Sequence, residues 1–204
     1  LDLEKFNDDL NKLISGEEAI IPSYDFVTGK RRVGGRKMRL HKGEIIVVEG
    51  IHGLNDELTK NIADENKFKI FVSPMTQLNV DAHKCISTSD SRLIRRIVRD
   101  YQFRGNSAAA TIESWHKVRQ GEEKNIFPYQ ENADIIFNSA TVYELSVLKA
   151  FIVPLLYKID KTMPEYITAN RLIKFMEYFL CAGTDAIPNN SLIKEFVGGS
   201  VFNV

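Results

Sequence analysis

From Asp2 to Ser15 the apolar residues Leu3, Phe6, Leu10, Leu13 and Ile14 recur every three or four positions. That spacing puts them on one face of a helix, and Gly16 is placed to end it. Ala19-Ile20-Ile21-Pro22 reads as a short extended piece leading into Tyr24-Asp25-Phe26. From Thr28 to Arg39 three glycines, Gly29, Gly34 and Gly35, stand among Lys30, Arg31, Arg32, Arg36, Lys37 and Arg39, the pattern of an exposed hairpin or loop. Ile45-Ile46-Val47-Val48 is apolar without alternation, which predicts a strand covered on both faces, as in a parallel sheet.

Further along, the patterning predicts a helix over about Asn55 to Ile62 and a strand at Phe68 to Val72, ended by Ser73-Pro74. Helices are expected at about Gln77 to Cys85, Asp90 to Phe103 and Ala108 to Arg119, with Trp115 as a packing residue in the last. Asp134 to Asn138 reads as a third strand and Val142 to Leu156 as the helix after it. Strands alternating with helices imply an α/β fold with a mainly parallel sheet flanked by helices. The tail differs, with an amphipathic helix at Glu165 to Leu180, a loop through Gly183, Pro188, Asn189 and Asn190, and a short helix at Leu192 to Phe196. We therefore expect a main α/β domain over residues 1–158 and a helical carboxyl-terminal extension over 159–204, packed on it.

Composition narrows the function classes. The 204 residues are 44% hydrophobic and 26% charged, as expected of a globular domain. Lys and Arg together number 27, as do Asp and Glu, so no net field draws the chain toward nucleic acid or anionic membrane. An anion-binding role must come from local clustering. Cys85 and Cys181 stand far apart outside any CxxC pattern, which argues against a disulfide framework or a cysteine zinc site. No apolar run approaches the ~18 residues of a membrane span. The first residues do not resemble a signal peptide and include no initiator Met, so a cytoplasmic protein and a truncated start are expected.

Three places could carry chemistry. The first is Glu49-Gly50, closing the Ile45–Val48 run. A carboxylate at the tip of a buried strand stands where α/β proteins bind ligands, and beside phosphates it can hold Mg²⁺ directly or through water. The second is Asp90 to Asp100. At about 100° per residue, Arg92, Arg95, Arg96 and Arg99 fall within one arc roughly 100° wide, with Leu93, Ile94, Ile97, Val98 and Tyr101 opposite. Arg104-Gly105 adds a fifth cation at the helix end. Guanidinium groups, permanently charged and forked, suit phosphate binding; the alternative is a solvated basic face neutralised by Asp90, Asp100 or other acids. The third is Tyr24-Asp25-Phe26, whose aromatics could stack on a flat ring or simply anchor a loop.

Other patterns are missing. No GxxxxGK[ST] phosphate loop and no GxSxG nucleophile segment occurs, and His41, His52, His83 and His116 show no metal-ligand spacing. The basic loop has no interleaved aromatics, which counts against a nucleic-acid platform.

Together, Ile21-Pro22-Ser23-Tyr24-Asp25-Phe26, Ile46-Val47-Val48-Glu49-Gly50-Ile51, Arg92-Leu93-Ile94-Arg95-Arg96-Ile97-Val98-Arg99-Asp100 with Arg104-Gly105, and Ala133-Asp134-Ile135-Ile136 resemble the uridine kinase branch of the phosphoribulokinase/uridine kinase family in order and spacing over about residues 1–140. The rest resembles a bacterial-type subgroup of such kinases. The resemblance implies a P-loop kinase-type fold and transfer of the γ-phosphate of ATP, with Mg²⁺, to the 5′-hydroxyl of uridine, cytidine or a related nucleoside. Carried over by position, Glu49 would help hold Mg²⁺, Tyr24 and Phe26 would contact the base, and Arg96 would lie near the ribose. Arg92 and Arg95 would join Arg99 and Arg104 at the phosphates, the last two as catalytic groups on a lid.

The family's phosphate loop, its catalytic aspartate and a ribose-binding aspartate fall upstream of where Leu1 aligns. The chain is therefore expected to be incomplete at its amino terminus and inactive alone. Gly29 stands where the family reads the pyrimidine with a histidine, and Asn106 where it carries a basic residue, so the acceptor nucleoside is left open. Two other classes remain: a non-catalytic nucleotide-binding or regulatory module, and an RNA-binding protein using the Arg92–Arg104 face. Homo-oligomer formation is also open.

Overall fold

A computed structural model describes residues 2–25, 30–76, 78–83 and 85–202. The chain forms two compact units, Leu1–Phe71 with Glu122–Ile135 and Val72–Gly121 with Ile136–Val204.

In the first unit, α1 spans Leu3–Ile14 and is capped by Asp2, whose side chain accepts from the Lys5 N–H at 3.1 Å. Its inner face carries Leu13 and a buried Asn7, which donates to Leu58 O at 3.1 Å and accepts from the Asn61 N–H at 3.3 Å. One amide thus ties the helix to the short 3₁₀ turn Asp56–Thr59, where a longer helix to Ile62 is predicted. Strands β1 (Ala19–Asp25) and β2 (Lys30–Met38) pair antiparallel, Ala19 opposite Met38 and Asp25 opposite Lys30, so the expected basic loop is a hairpin. Gly35 sits where a Cβ would come within 2.6 Å of Ile21 O and the Ile20 side chain. Only glycine lets the strands approach so closely.

Ile45–Val48 departs from expectation. It is in no strand, and Ile45, Val47 and Val48 are exposed, at 84%, 79% and 44%. A strand exists only where another backbone satisfies its N–H and C=O groups, and none among the described residues does so here. Glu49 therefore caps no buried strand; it is exposed.

Strands β3 (Ile70–Ser73) and β4 (Ile135–Asn138) pair in a second two-stranded sheet. Asp134 N–H donates to Lys69 O at 2.9 Å and Ser139 N–H to Ser73 O at 3.0 Å. The partners advance together along both chains, so this small sheet is parallel. Phe71 and Ser73 are buried and Ile70 and Val72 exposed, while every β4 side chain is exposed.

The second unit is mainly helical. Its core is built by Leu93, Ile94, Ile97 and Val98 of α2 (Thr88–Phe103), Leu148, Ile152 and Leu156 of α4 (Glu144–Leu156), and Leu172 and Met176 of α5 (Tyr166–Met176). α3 (Ala108–Asn125) begins in this unit, and Trp115 packs against the core as expected. The short α6 (Lys194–Val197) packs on α2 and α4, burying Phe196.

The helix expected at Gln77 to Cys85 does not form among the residues described there, 78–83 and 85. Asn79 and Cys85 instead make an antiparallel bridge, and the Asp81 side chain accepts from the His83 N–H at 2.8 Å. That local turn competes with helical hydrogen bonding. The α/β class holds, with helices and a small parallel sheet. Among the described residues no helix is long and apolar enough to cross a membrane.

Candidate functional site

The arginine helix is set by local chemistry at both ends. Ser87 caps α2 through its hydroxyl, which accepts from the Asp90 N–H at 3.3 Å. At the other end Gly105 turns out of the helix at φ +66°, a left-handed angle that side chains disfavour, and the Asn106 N–H returns to Asp100 O at 3.1 Å.

The buried face of α2 is wider than its apolar residues indicate. Ser91 at 0% exposure and Arg95 at 7% lie on it, whereas Tyr101, expected there, is exposed. Arg95 is therefore not presented with the other arginines. Its Nε and Nη2 donate to the two carboxylate oxygens of buried Glu144 at 2.9 and 2.5 Å. Nη2 also donates to Ser139 O at 2.7 Å, Nη1 lies 3.3 Å from the Ser139 hydroxyl, and the guanidinium covers the Phe196 ring at 5.3 Å. Glu144 further accepts from the Thr141 N–H at 2.8 Å. This is a closed, desolvated ion pair joining α2 to α4, with Arg95 unable to leave without stranding a buried charge.

Arg96, Arg99 and Arg104 lie nearer the surface. Asp100, at 1% exposure, organises two of them: Arg104 Nη1 donates to one carboxylate oxygen at 3.0 Å, and Arg96 Nε stands 3.2 Å from the other without hydrogen-bond alignment. Thr111 adds a long hydroxyl contact at 3.5 Å. Arg99 Nη1 lies 3.4 Å from Glu195 Oε1 on α6, with both side chains about one-third exposed (32% and 30%). Its Nε is shielded and has no hydrogen-bond partner among the described residues. Arg92 is half-buried and engaged within the protein. At the helix start, Asp90 accepts from Nη1 and Nη2 of Arg171 on α5, at 2.6 and 2.8 Å, and this carboxylate holds the Arg171 pKa above its usual value.

Of the five expected arginines, Arg96, Arg99 and Arg104 lie nearer the surface, Arg92 is half-buried, and Arg95 belongs to the interior. The neutralising acids include Asp100, as the charge-balance alternative supposed, together with Glu195 and Glu144, which sequence spacing did not indicate. Asp100 was legible, four residues from both Arg96 and Arg104. Glu144 lies 49 residues from Arg95 and Glu195 lies 96 from Arg99, so no local signal marks them.

The remaining candidates belong to the first unit. Tyr24 lies on β1 opposite Arg31, and Phe26 is outside the described residues. A cavity of about 410 Å³ opens in this unit between α1, β1 and the Ile46–Val48 run, lined mainly by apolar side chains such as Leu10, Leu13, Ile21 and Met38. Among the described residues no group of three or more His, Cys, Asp or Glu side chains could hold a metal ion. Glu49 alone offers one exposed carboxylate, compatible with Mg²⁺ arriving on phosphates and keeping several waters.

Comparison with known proteins bears on the same helix. The chain is 31% identical over 147 residues to a uridine kinase of Borrelia duttonii, an overlap of 69% of this chain and 63% of that protein. It is 32% identical over 128 residues to a uridine kinase of Streptococcus agalactiae, covering 62% of this chain and 53% of the relative. Uridine kinase-like protein 3 of Arabidopsis thaliana is 30% identical over 136 residues, 66% of this chain and 26% of that protein. The chain thus spans less than two thirds of the length of each of these relatives. The model of the phosphoribulokinase/uridine kinase family matches residues 1–146, which include α1, the β1–β2 hairpin, Glu49 and all of α2, and on that match the chain belongs to this family.

Proposed function

We propose that the protein carrying this chain is an ATP-dependent kinase that phosphorylates the 5′-hydroxyl of uridine, cytidine or a related nucleoside. The observation that carries this reading is the carboxyl-terminal part of α2 inside the region matched to the family, where Arg96 and Arg104 flank the buried Asp100 carboxylate and Arg99 stands beside them, about one-third exposed. The names of the relatives support the same substrate class.

Phosphoryl transfer depends on positioning and on neutralising charge that spreads over the phosphate oxygens. Arg99 and Arg104 bind those oxygens in this reading, with Arg92 assisting, and Arg96 faces the ribose. Tyr24 and Phe26 contact the base. Glu49 would help hold the Mg²⁺ that arrives with ATP, whose charge would offset that of the phosphates. Arg95 is removed from the phosphate set and given a structural role, because Glu144 and Ser139 already take its donors.

The test is nucleoside-dependent consumption of ATP by the full-length gene product. In that protein Arg99→Ala and Arg104→Ala should each weaken kcat/KM by about 2–4 kcal/mol, the scale for losing one charge-assisted contact to a transition state. Unchanged kinetics in both variants would remove these arginines from the site. ATP binding without any nucleoside-dependent turnover would make the protein a regulatory nucleotide-binding module instead.

A further inference from the structure

The family match ends at residue 146, yet α6 places a side chain on the arginine helix. Two neighbouring residues of α6 meet α2 differently. Phe196 is buried under the Arg95 guanidinium, which anchors the short helix, and Lys194 ties its start to Thr184 O at 3.2 Å. Glu195 between them reaches Arg99 through a single contact of 3.4 Å.

That contact is long beside the ~2.7–2.9 Å of a good charge-assisted hydrogen bond. It leaves Arg99 Nε unpartnered among the described residues. A partly exposed pair of this kind contributes only about 0–1 kcal/mol. A phosphate can instead accept two parallel N–H bonds from the same fork and carries more charge.

We propose that Glu195 is an internal counter-anion of the phosphate site: it neutralises Arg99 when no nucleotide is bound and is displaced by phosphate. This rests on the reading of Arg99 as a phosphate ligand. Phe196 and Lys194 keep α6 docked, so the displaced carboxylate stays close to the incoming anion and lowers its affinity. A segment outside the family match thereby sets how tightly the enzyme holds its triphosphate.

The experiment compares wild type with Glu195→Gln in the full-length protein, with ATP and Mg²⁺ titrated calorimetrically at fixed low salt. Glutamine keeps the size and an acceptor oxygen but removes the charge. The variant should bind ATP roughly three- to tenfold more tightly, the scale of one partly screened charge at contact range. In an Arg99→Ala background the same substitution should give at most a small part of that gain. Equal or weaker binding in Glu195→Gln overturns the counter-anion while leaving the kinase reading intact, as does a full-sized gain without Arg99. Failure of wild type and variant alike to bind ATP overturns the kinase reading and, with it, this proposal.

Discussion

Two groups of apolar residues in this chain, one spaced along a helix and one continuous, meet opposite fates. Leu93, Ile94, Ile97 and Val98 on α2 are at 1% exposure or less, whereas Ile45, Val47 and Val48 face solvent. The difference lies in where each finds its hydrogen-bond partners. A helix satisfies its backbone within itself, so an apolar stripe needs only one covering surface, here α4 and α6. A strand must borrow donors and acceptors from another strand, and the Ile45–Val48 run has none among the described residues. Apolar character predicts a wish for cover; periodicity predicts structure only when the backbone can close on itself.

The contrast can be broken most severely at the buried ion pair. Glu144→Ala should cost about 3–5 kcal/mol, because Arg95 would keep an uncompensated charge in a dry site. Denaturant unfolding of the full-length protein would register this as a lower midpoint; a loss below ~1 kcal/mol would mean that water reaches the site. Ile97→Val, trimming one methylene from the same helix, should cost about 0.5–1.5 kcal/mol and lower the thermal midpoint by a few degrees. Val47→Ser should stay within about ±0.5 kcal/mol, the range for exposed positions. A larger loss at Val47 would show that this run is covered in the working protein, and would narrow the contrast to the chain described here.

The sequence made α2 legible because its pattern is local. Four apolar positions at helical spacing and a glycine at the end act within one element, and the helix runs Thr88–Phe103 where Asp90–Phe103 is predicted, the Ser87 cap lying just before that predicted start. What the pattern hid was the width of its buried face. Ser91 is polar and small, so nothing marks it as interior, yet its burial draws Arg95, four residues on, to the same side. An arginine arc drawn from angles alone then counts one guanidinium too many. The 78–83 stretch failed differently: Asp81 turning back on the His83 N–H is a local competitor to the helix that apolar spacing does not weigh. Glu195 was beyond any reading by spacing, since only folding brings α6 to α2.

Asp100 has a consequence for how this site can change. One buried carboxylate serves both Arg96 and Arg104, so the two cations are not independent parts. Delete either and the survivor inherits the whole anion, settling closer to it and offering less of its charge outward. Substitutions at the two positions therefore combine non-additively. Variation that retunes the end of this helix has to pass through all three residues as one inherited unit.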